Sequence, residues 1–591
     1  MHDTIIRGGS IFDGAGGEAF TGDVAVKDGM IVAVGDHIAE LAGQVIDADG
    51  AIVTPAWVDI HTHYDGQVTW DEEMDPSASH GVGTIVMGNC GVGFAPVPPG
   101  GQRELIELME GVEDIPGTAL YEGMPWGAWE TYPQYLDYLA GRKYALNVAS
   151  MIAHGAIRNY VLGPQRSNGD ATEAEVGRMA GIVEEALRAG AVGFSTSRIM
   201  GHKSIHGDQV PGTFAPEAEL MAIAGAFRRA GAGVMQLIPA GTLGTMGEHS
   251  ALEAEVEMIC RLSAAAGRPA TFTLFETFAD PAQAHRILAM VKEGARDGAR
   301  VFPQVGSRPT GFVFSLGSYH PFMAKPTYLA LANLPLAERA KALRDPAVKA
   351  RILAEVNVPP QHPGSMEALI PNVDFPMHQT FPLTTRSSYE PLAEESFEAL
   401  AQAGGLPGGR SALYDHLVQG DGRDFAIAFF TGYSTYTLDG LRELQLDDAT
   451  VVGLSDGGAH VGAIFDAVNP TYQLAYWARD RRRGATLPLA HVINRQTRRN
   501  AELFGFTDRG LIAPGMRADL NVIDFANLAL GDMRFQRDLP AGGARLMQPA
   551  HGYLATLIGG DLTRSFDQDT GARPGRLTRG QGAGARAAVP A

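Results

Sequence analysis

The sequence predicts an α/β protein: a (β/α)8 TIM-like barrel, with a small β-sandwich contributed by both chain ends and an inserted lid. Three observations predict it. Short apolar strands alternate with helical patterns through the middle of the chain, the signature of βα units and a parallel sheet. Turn-punctuated runs of β-formers flank that alternation at both ends. Residues 307–422, rich in Pro, Gly, Ser and Tyr, interrupt it and are too long for a bare loop.

In chain order, residues 1–50 read as short strands, with a hairpin signal at Lys27-Asp28-Gly29. The apolar run Ala51–Val58 leads into Asp59-Ile60-His61-Thr62-His63. Barrel-strand candidates are 56–63, 83–90, 146–154, 191–197, 233–238, 270–275, 299–304, 424–431 and 451–456. Nine candidates for eight places leave one extra, and 424–431 is the one set aside. The clearest helices are Glu173–Ala189, with Thr172 as N-cap and Gly190 as stop, and Pro216–Arg229. Further helical patterns are Leu336–Leu343 and Pro346–Glu355 within the insertion, and Leu487–Phe504 after the last strand. The aromatic stretch Leu120–Tyr138 reads equally as a pocket lining or as core. The expected division is 1–55 with 508–568 as the β-sandwich, 56–306 with 423–507 as the barrel, 307–422 as the lid, and 569–591 as a tail ending in a mobile Gly580–Ala591 segment.

Composition narrows the function. With 47 basic and 67 acidic residues the net charge is −20, which argues against a nucleic-acid partner. Two cysteines, Cys90 and Cys260, make no disulfide framework and point to a reducing, cytoplasmic setting. The N-terminus has no leader pattern, and no apolar run approaches the length of a membrane span. The expected partner is a small molecule, and a homo-oligomer is compatible with the sequence.

The chemistry is expected where barrel strands end. Side chains at i and i+2 of a strand share a face, so His61 and His63 reach one point. With Cys90 and Asp456 at later strand ends they form a ligand set suited to Zn2+. Asp456 is also placed to move a proton between a metal-activated water and a leaving nitrogen. Each residue has a plainer reading: Cys90 as a small buried hydrophobe, Asp456 as a turn residue or N-cap, and His154 as a satisfied core histidine. His154, Arg158, Ser197, Arg198, His202, His206 and His460 are the substrate-binding candidates; His202 and His206, in a Gly/Lys-rich loop, read equally as solvated.

Val53-Thr54-Pro55-Ala56-Trp57-Val58-Asp59-Ile60-His61-Thr62-His63 resembles the opening motif of the amidohydrolase superfamily. Gly88-Asn89-Cys90-Gly91 with Ala95-Pro96 is similar to its N-acyl-D-amino-acid deacylase (D-aminoacylase) branch, in which a cysteine takes the place of a bridging carboxylated lysine. His154-Gly155-Ala156-Ile157-Arg158, Gly193-Phe194-Ser195-Thr196, Leu454-Ser455-Asp456-Gly457 and the Asp508–Leu520 run also resemble that branch, so the likeness covers nearly the whole chain. It implies a metal-dependent hydrolase of C–N amide bonds acting on an N-acyl amino acid or similar small amide. A cyclic amide, lactone or carbamate hydrolase, or a non-catalytic small-molecule binder, are the alternatives. The branch carries two further metal histidines on the fifth and sixth strands, and neither Val234–Pro239 nor Ala270–Glu276 contains one. The resemblance therefore supports one Zn2+ site rather than two. The segment Gly457–Gly462 and the loop Ser197–Asp208 also depart from the branch, so an altered specificity is expected.

Overall fold

The computed structural model describes residues 1–244, 248–384 and 389–581. Eight parallel strands run in sequence order: Trp57–Asp59, Val82–Met87, Asn147–Ala153, Gly193–Ser197, Val234–Ile238, Ala270–Thr273, Val301–Val305 and Val451–Val452. Every residue of the second through sixth strands is buried, as expected of a parallel sheet covered on both faces. The ring closes between its last and first members beyond the strands proper. Thr62 bridges Gly457, Asp456 N donates to His61 O (3.1 Å) and His63 N to Gly457 O (2.8 Å). Closure of the barrel and assembly of the candidate ligands are thus one set of hydrogen bonds.

The helix Glu173–Ala189 has its expected ends. Thr172 and Glu175 form a reciprocal capping box, and Gly190 stops the helix at φ 113°. The second expected helix runs Glu217–Ala230. The expected helix Leu487–Phe504 is two, Leu489–Gln496 and Arg498–Phe504, broken at Thr497 (φ −121°, ψ −95°).

Both chain ends meet in one nine-stranded sheet, where Val53 pairs with Val522 and the first strand, His2–Ile11, is flanked by Phe20–Lys27, Ala42–Asp47 and Ile52–Pro55. Its core includes Ile6, Ile11, Val24, Val53, Leu520, Val522 and Leu557. Ile52–Pro55 runs directly into the first barrel strand, and Trp57 Nε1 donates to Tyr553 OH at 3.2 Å, so this sheet anchors the strand that carries the histidine pair. The tail is held as far as Gln581: Leu577 bridges Val148, and Gly580 N donates to Gly190 O. The remainder of the expected mobile segment, 582–591, lies outside the described residues.

The insertion has its own core around Phe314, Phe322, Tyr328, Phe375, Phe397, Leu413 and Tyr414. The set-aside strand appears as Phe425–Phe429, the centre of a three-stranded antiparallel sheet between Gly311–Phe314 and Thr380–Leu383. Its hydrogen bonds place it with the insertion, so the expected boundary at 422 moves past it. The insertion grips the barrel mouth: Tyr319 OH donates to Asp114 Oδ1 (2.7 Å), Ser318 Oγ to Gly462 O (2.5 Å) and Val313 N to Ala463 O (2.7 Å). In the aromatic stretch, Trp129, Tyr132 and Tyr135 are buried, while Trp126 and Trp129 also line a surface cleft with Val97 and Pro98. No helix among the described residues is long and apolar enough to cross a membrane.

Candidate metal centre

Three turns build the centre. Behind the first strand, Asp59 accepts from His61 N (3.3 Å) and from the Ser455 hydroxyl, tying the first strand end to the eighth. At the second strand end, Gly88 has φ 84°, and a Cβ there would lie 2.2 Å from Met151 O, so only glycine fits. Asn89 Nδ2 then donates to Thr62 O and Val86 O, and Cys90 N to Gln236 Oε1 at 3.2 Å. Cys90, Leu454, Asp456 and His460 all have φ between 48° and 61°. Left-handed backbone at non-glycine residues costs about 1–3 kcal/mol each and persists where surroundings over-determine it.

The ligand-competent atoms converge. Cys90 Sγ is 3.5 Å from His61 Nε2 and 3.8 Å from His63 Nε2. Asp456 Oδ1 is 3.4 Å from His61 Nε2 and 3.6 Å from His63 Nε2. The ligand atoms of His61, His63 and Cys90 all lie within 4.8 Å of one another, and all three residues are buried. A tetrahedral zinc, with Zn–N of about 2.0–2.1 Å and Zn–S of about 2.3 Å, requires ligand atoms roughly 3.3–3.6 Å apart. The donor set fits that ion in type; separations of 3.4, 3.5 and 3.6 Å fall in that range, Cys90 Sγ–His63 Nε2 at 3.8 Å lies slightly beyond it, and Asp456 joins the group through the two histidines. His61 Nδ1 is held by Gln304 Oε1 at 2.8 Å, and His63 Nδ1 faces Glu113 Oε1 at 3.3 Å, so both rings turn Nε2 toward the shared point.

Electrostatics agree with a cation site. Burial keeps both imidazoles below their ordinary range, which is the neutral, ligating form. Burial alone would raise the Asp456 carboxyl; the hydrogen bond from His63 and the fields of His61, His63 and His460 hold it well below the usual carboxylate range. Burial, and then the neighbouring carboxylates Glu113, Asp456 and Asp65, push the Cys90 thiol up. Glu113 is pushed up in the same way, by burial and then by Asp456 and Asp65. Asp456 is the most exposed of the four, its side chain 20% accessible against 1% or less for the two histidines. It lines a cavity with Ala459, Phe465, Asp466 and Arg545.

The substrate-binding candidates separate into two groups. His154 is spanned by Thr196 Oγ1 (2.9 Å) and Glu219 Oε1 (2.8 Å), so it is a satisfied core histidine. Arg158 spends its guanidinium on Glu219, Ser167 O and Gly169 O. Arg198 is likewise committed, to Glu255 (2.6 and 3.2 Å) and Ala215 O (2.7 Å). These three expectations are therefore corrected: the side chains brace helices against the barrel, because the partners that neutralise them lie on the helices Glu217–Ala230 and Leu252–Ala266. His206 is half-exposed, 3.3 Å from Glu107. The other group faces the centre. Ser197 Oγ holds His202 Nδ1 at 2.9 Å. Burial, and then the fields of His460, His63 and His61, push His202 down to about 3. His460 Nε2 lies 3.5 Å from Glu113 Oε2, and burial pushes this imidazole down to about 4.

Sequence reasoning missed Glu113, Gln236 and Gln304. Glu113 ends the amphipathic helix Gln102–Glu113 and is chemically indistinguishable there from the solvated glutamates before it. The two glutamines sit in strands whose only sequence signal is apolar. The fifth and sixth strands contain no histidine; their buried polar side chains include Gln236 and Thr273, and the buried Gln236 Nε2, Thr273 Oγ1 and Gln304 Nε2 have no hydrogen-bond partner among the described residues.

The amidohydrolase family model matches residues 44–563. An N-acyl-D-aspartate deacylase of Alcaligenes xylosoxydans xylosoxydans is 37% identical over 194 residues, 33% of this chain and 36% of that protein. An N-acyl-D-glutamate deacylase of the same organism is 30% identical over 223 residues, 38% of this chain and 41% of that protein. The matched stretches thus span between about a third and two fifths of these relatives' lengths. Among solved structures, the N-acyl-D-glutamate deacylase of Bordetella bronchiseptica, complexed with zinc and a phosphonate inhibitor, has a TM-score of 0.62 at 23% identity, covering 98% of this chain and 99% of that one. A D-aminoacylase, solved to examine the functional role of its binuclear metal centre, has a TM-score of 0.63 at 22% identity, covering 98% and 100%. At these identities the likeness is one of fold.

Proposed function

The chain belongs to the amidohydrolase family, and we propose that it is a metal-dependent hydrolase of C–N amide bonds whose substrate is an N-acyl amino acid or a similar small amide. The observation that carries the reading is the convergence of His61, His63 and Cys90, whose ligand atoms lie within 4.8 Å of one another, with Asp456 Oδ1 at 3.4 and 3.6 Å from Nε2 of the two histidines. The named relatives act on N-acyl-D-aspartate and N-acyl-D-glutamate, and this supports the substrate class.

His61, His63, Cys90 and Asp456 would hold one zinc, which when bound would supply a Lewis acid for the scissile carbonyl and lower the pKa of a water toward neutrality. His61 and His63 stay neutral and oriented by Gln304 and Glu113. Asp456, the member facing the cavity, takes the proton of the attacking water and returns it to the departing nitrogen. His202, fixed through Nδ1 by Ser197, presents its other nitrogen as a donor to the developing oxyanion. His460, on the loop after Asp456, contacts the substrate. A single metal is proposed because Gln236 and Thr273 stand on the fifth and sixth strands. The 1–55 and 508–568 segments act as the scaffold, and the insertion covers the mouth. Two cysteines, both free, favour a cytoplasmic location.

Metal analysis of the purified protein, with a panel of N-acetyl D- and L-amino acids, tests the reading. About one zinc per chain is expected, with hydrolysis lost in His61→Ala and Asp456→Asn. Hydrolysis that survives both substitutions in metal-free protein sinks it. Turnover confined to cyclic amides, lactones or carbamates would move the reading to another reaction of the same family. Zinc bound without any turnover would make the chain a small-molecule binder.

A further inference from the structure

Glu113 touches both sides of the centre. Its Oε1 lies 3.3 Å from Nδ1 of the ligand His63, and its Oε2 lies 3.5 Å from Nε2 of His460. Its backbone carbonyl accepts from His460 N. The side chain is 1% exposed, on the last residue of the helix Gln102–Glu113. His63 Nδ1 and Glu113 Oε1 are both buried and make no other hydrogen bond, nor a well-angled one with each other. The next residue, Asp114, holds Tyr319 OH at 2.7 Å and Gly462 N at 3.0 Å, so the 460–462 loop is fastened on two sides of the same helix end.

A neutral imidazole carries one N–H. An ion bound at His63 Nε2 leaves that proton on Nδ1, and the atom facing Nδ1 is Glu113 Oε1. The same carboxyl meets the Cys90 thiol, and its second oxygen faces His460 Nε2 at 3.5 Å. We propose that Glu113 is a positioning residue that couples metal binding at His63 to the placement of His460. The inference deepens the amidohydrolase reading, on which the role of His460 toward substrate rests; the coupling between metal and loop does not depend on which amide is cleaved. By reciprocity, whatever His460 placement gains from the metal, metal affinity gains from His460.

The test is a zinc titration of full-length metal-free protein against a chromogenic chelator, in wild type, Glu113→Leu, Glu113→Asp, Glu113→Gln, His460→Ala and the Glu113→Leu/His460→Ala pair. Loss of a partner that orients a ligand histidine costs about 10- to 100-fold in metal affinity. That loss is expected for Glu113→Leu. It is also expected for Glu113→Asp, which keeps the carboxyl but withdraws it by one methylene, and which serves if the leucine variant fails to fold. Glu113→Gln keeps an acceptor for His63 Nδ1 and should restore affinity to within a few-fold of wild type, which a packing role alone would not distinguish from leucine. His460→Ala should weaken zinc several-fold in wild type and leave Glu113→Leu unchanged. Wild-type zinc affinity in folded Glu113→Leu or Glu113→Asp, or an equal His460→Ala effect in both backgrounds, overturns the proposal. The readout is metal affinity, so a chain that couples as described and cleaves no amide would sink the hydrolase reading and leave this one standing.

Discussion

At the ends of strands eight, one and two the barrel mouth turns Asp456, His61, His63 and Cys90 toward a common point. Across from them, strands five, six and seven present Gln236, Thr273 and Gln304, all buried and all uncharged. Between these two sides, after strands three and four, charge points outward. Arg158 and Arg198, near strands three and four, pair with Glu219 and Glu255 on the surrounding helices. A buried charge needs a partner, and these regions meet that need differently. The ligand side collects atoms that a cation would satisfy together, while the segments after strands three and four neutralise their charges in pairs and strands five to seven leave neutral donors facing in. The contrast is the reason one metal rather than two is proposed: strands five, six and seven offer Gln236, Thr273 and Gln304, none of them an anionic or imidazole ligand.

Breaking the ligand side should have the largest effect. Asp456→Asn is expected to lower kcat by roughly 10^2- to 10^4-fold, the usual worth of a general base, as measured on the best N-acyl amino acid of the panel. Activity near wild type would show that the acid–base group lies elsewhere. Arg198→Met attacks the outward pairing. It strands Glu255 and should cost about 3–5 kcal/mol of unfolding free energy in denaturant titrations, with zinc stoichiometry unchanged. Loss of zinc without loss of stability would mean that the outward-paired charges serve the centre after all. Gln304→Leu tests whether the uncharged wall matters to the charged one, through His61 Nδ1. A fall of about 10- to 100-fold in zinc affinity is expected, and an unaltered affinity would separate the walls entirely.

The smallest effect concerns a buried imidazole away from the mouth. His320, in the insertion, accepts from Phe322 N and is pushed by burial to about 3 from an ordinary 6.5. The unfolded chain takes up a proton as pH falls through 6.5, whereas the folded chain does not. The stability this group contributes is therefore present above pH 6.5 and lost as pH falls toward 3. At pH 5 the loss is about 2 kcal/mol, from 1.36 kcal/mol per pKa unit. His320→Asn should remove about that much of the fall in unfolding free energy between pH 7 and 5. An unchanged slope would leave the acid sensitivity to other groups.

What could be read from the sequence was whatever depends on short separations or on strand order. His61 and His63 are two residues apart and share a face for that reason. The helix Glu173–Ala189 has its start and stop signals, Thr172 and Gly190, on the residues directly flanking it. Cys90 and Asp456 follow apolar runs, so counting strands placed them at the mouth. The tertiary structure decided which polar groups are spoken for. His61 and Gln304 are 243 residues apart, His154 and Glu219 are 65, and Ser455 and Asp59 are 396. No local pattern marks such pairs, because a glutamate on a helix looks the same whether it faces water, an arginine or a metal ligand. The sequence by itself determined the barrel and four candidate ligands, since backbone periodicity and residue chemistry are local. Only folding decided that Arg158 and Arg198 are braces, that Glu113 stands between His63 and His460, and that the far wall is neutral, since each of these depends on where distant segments bring a charge out of water.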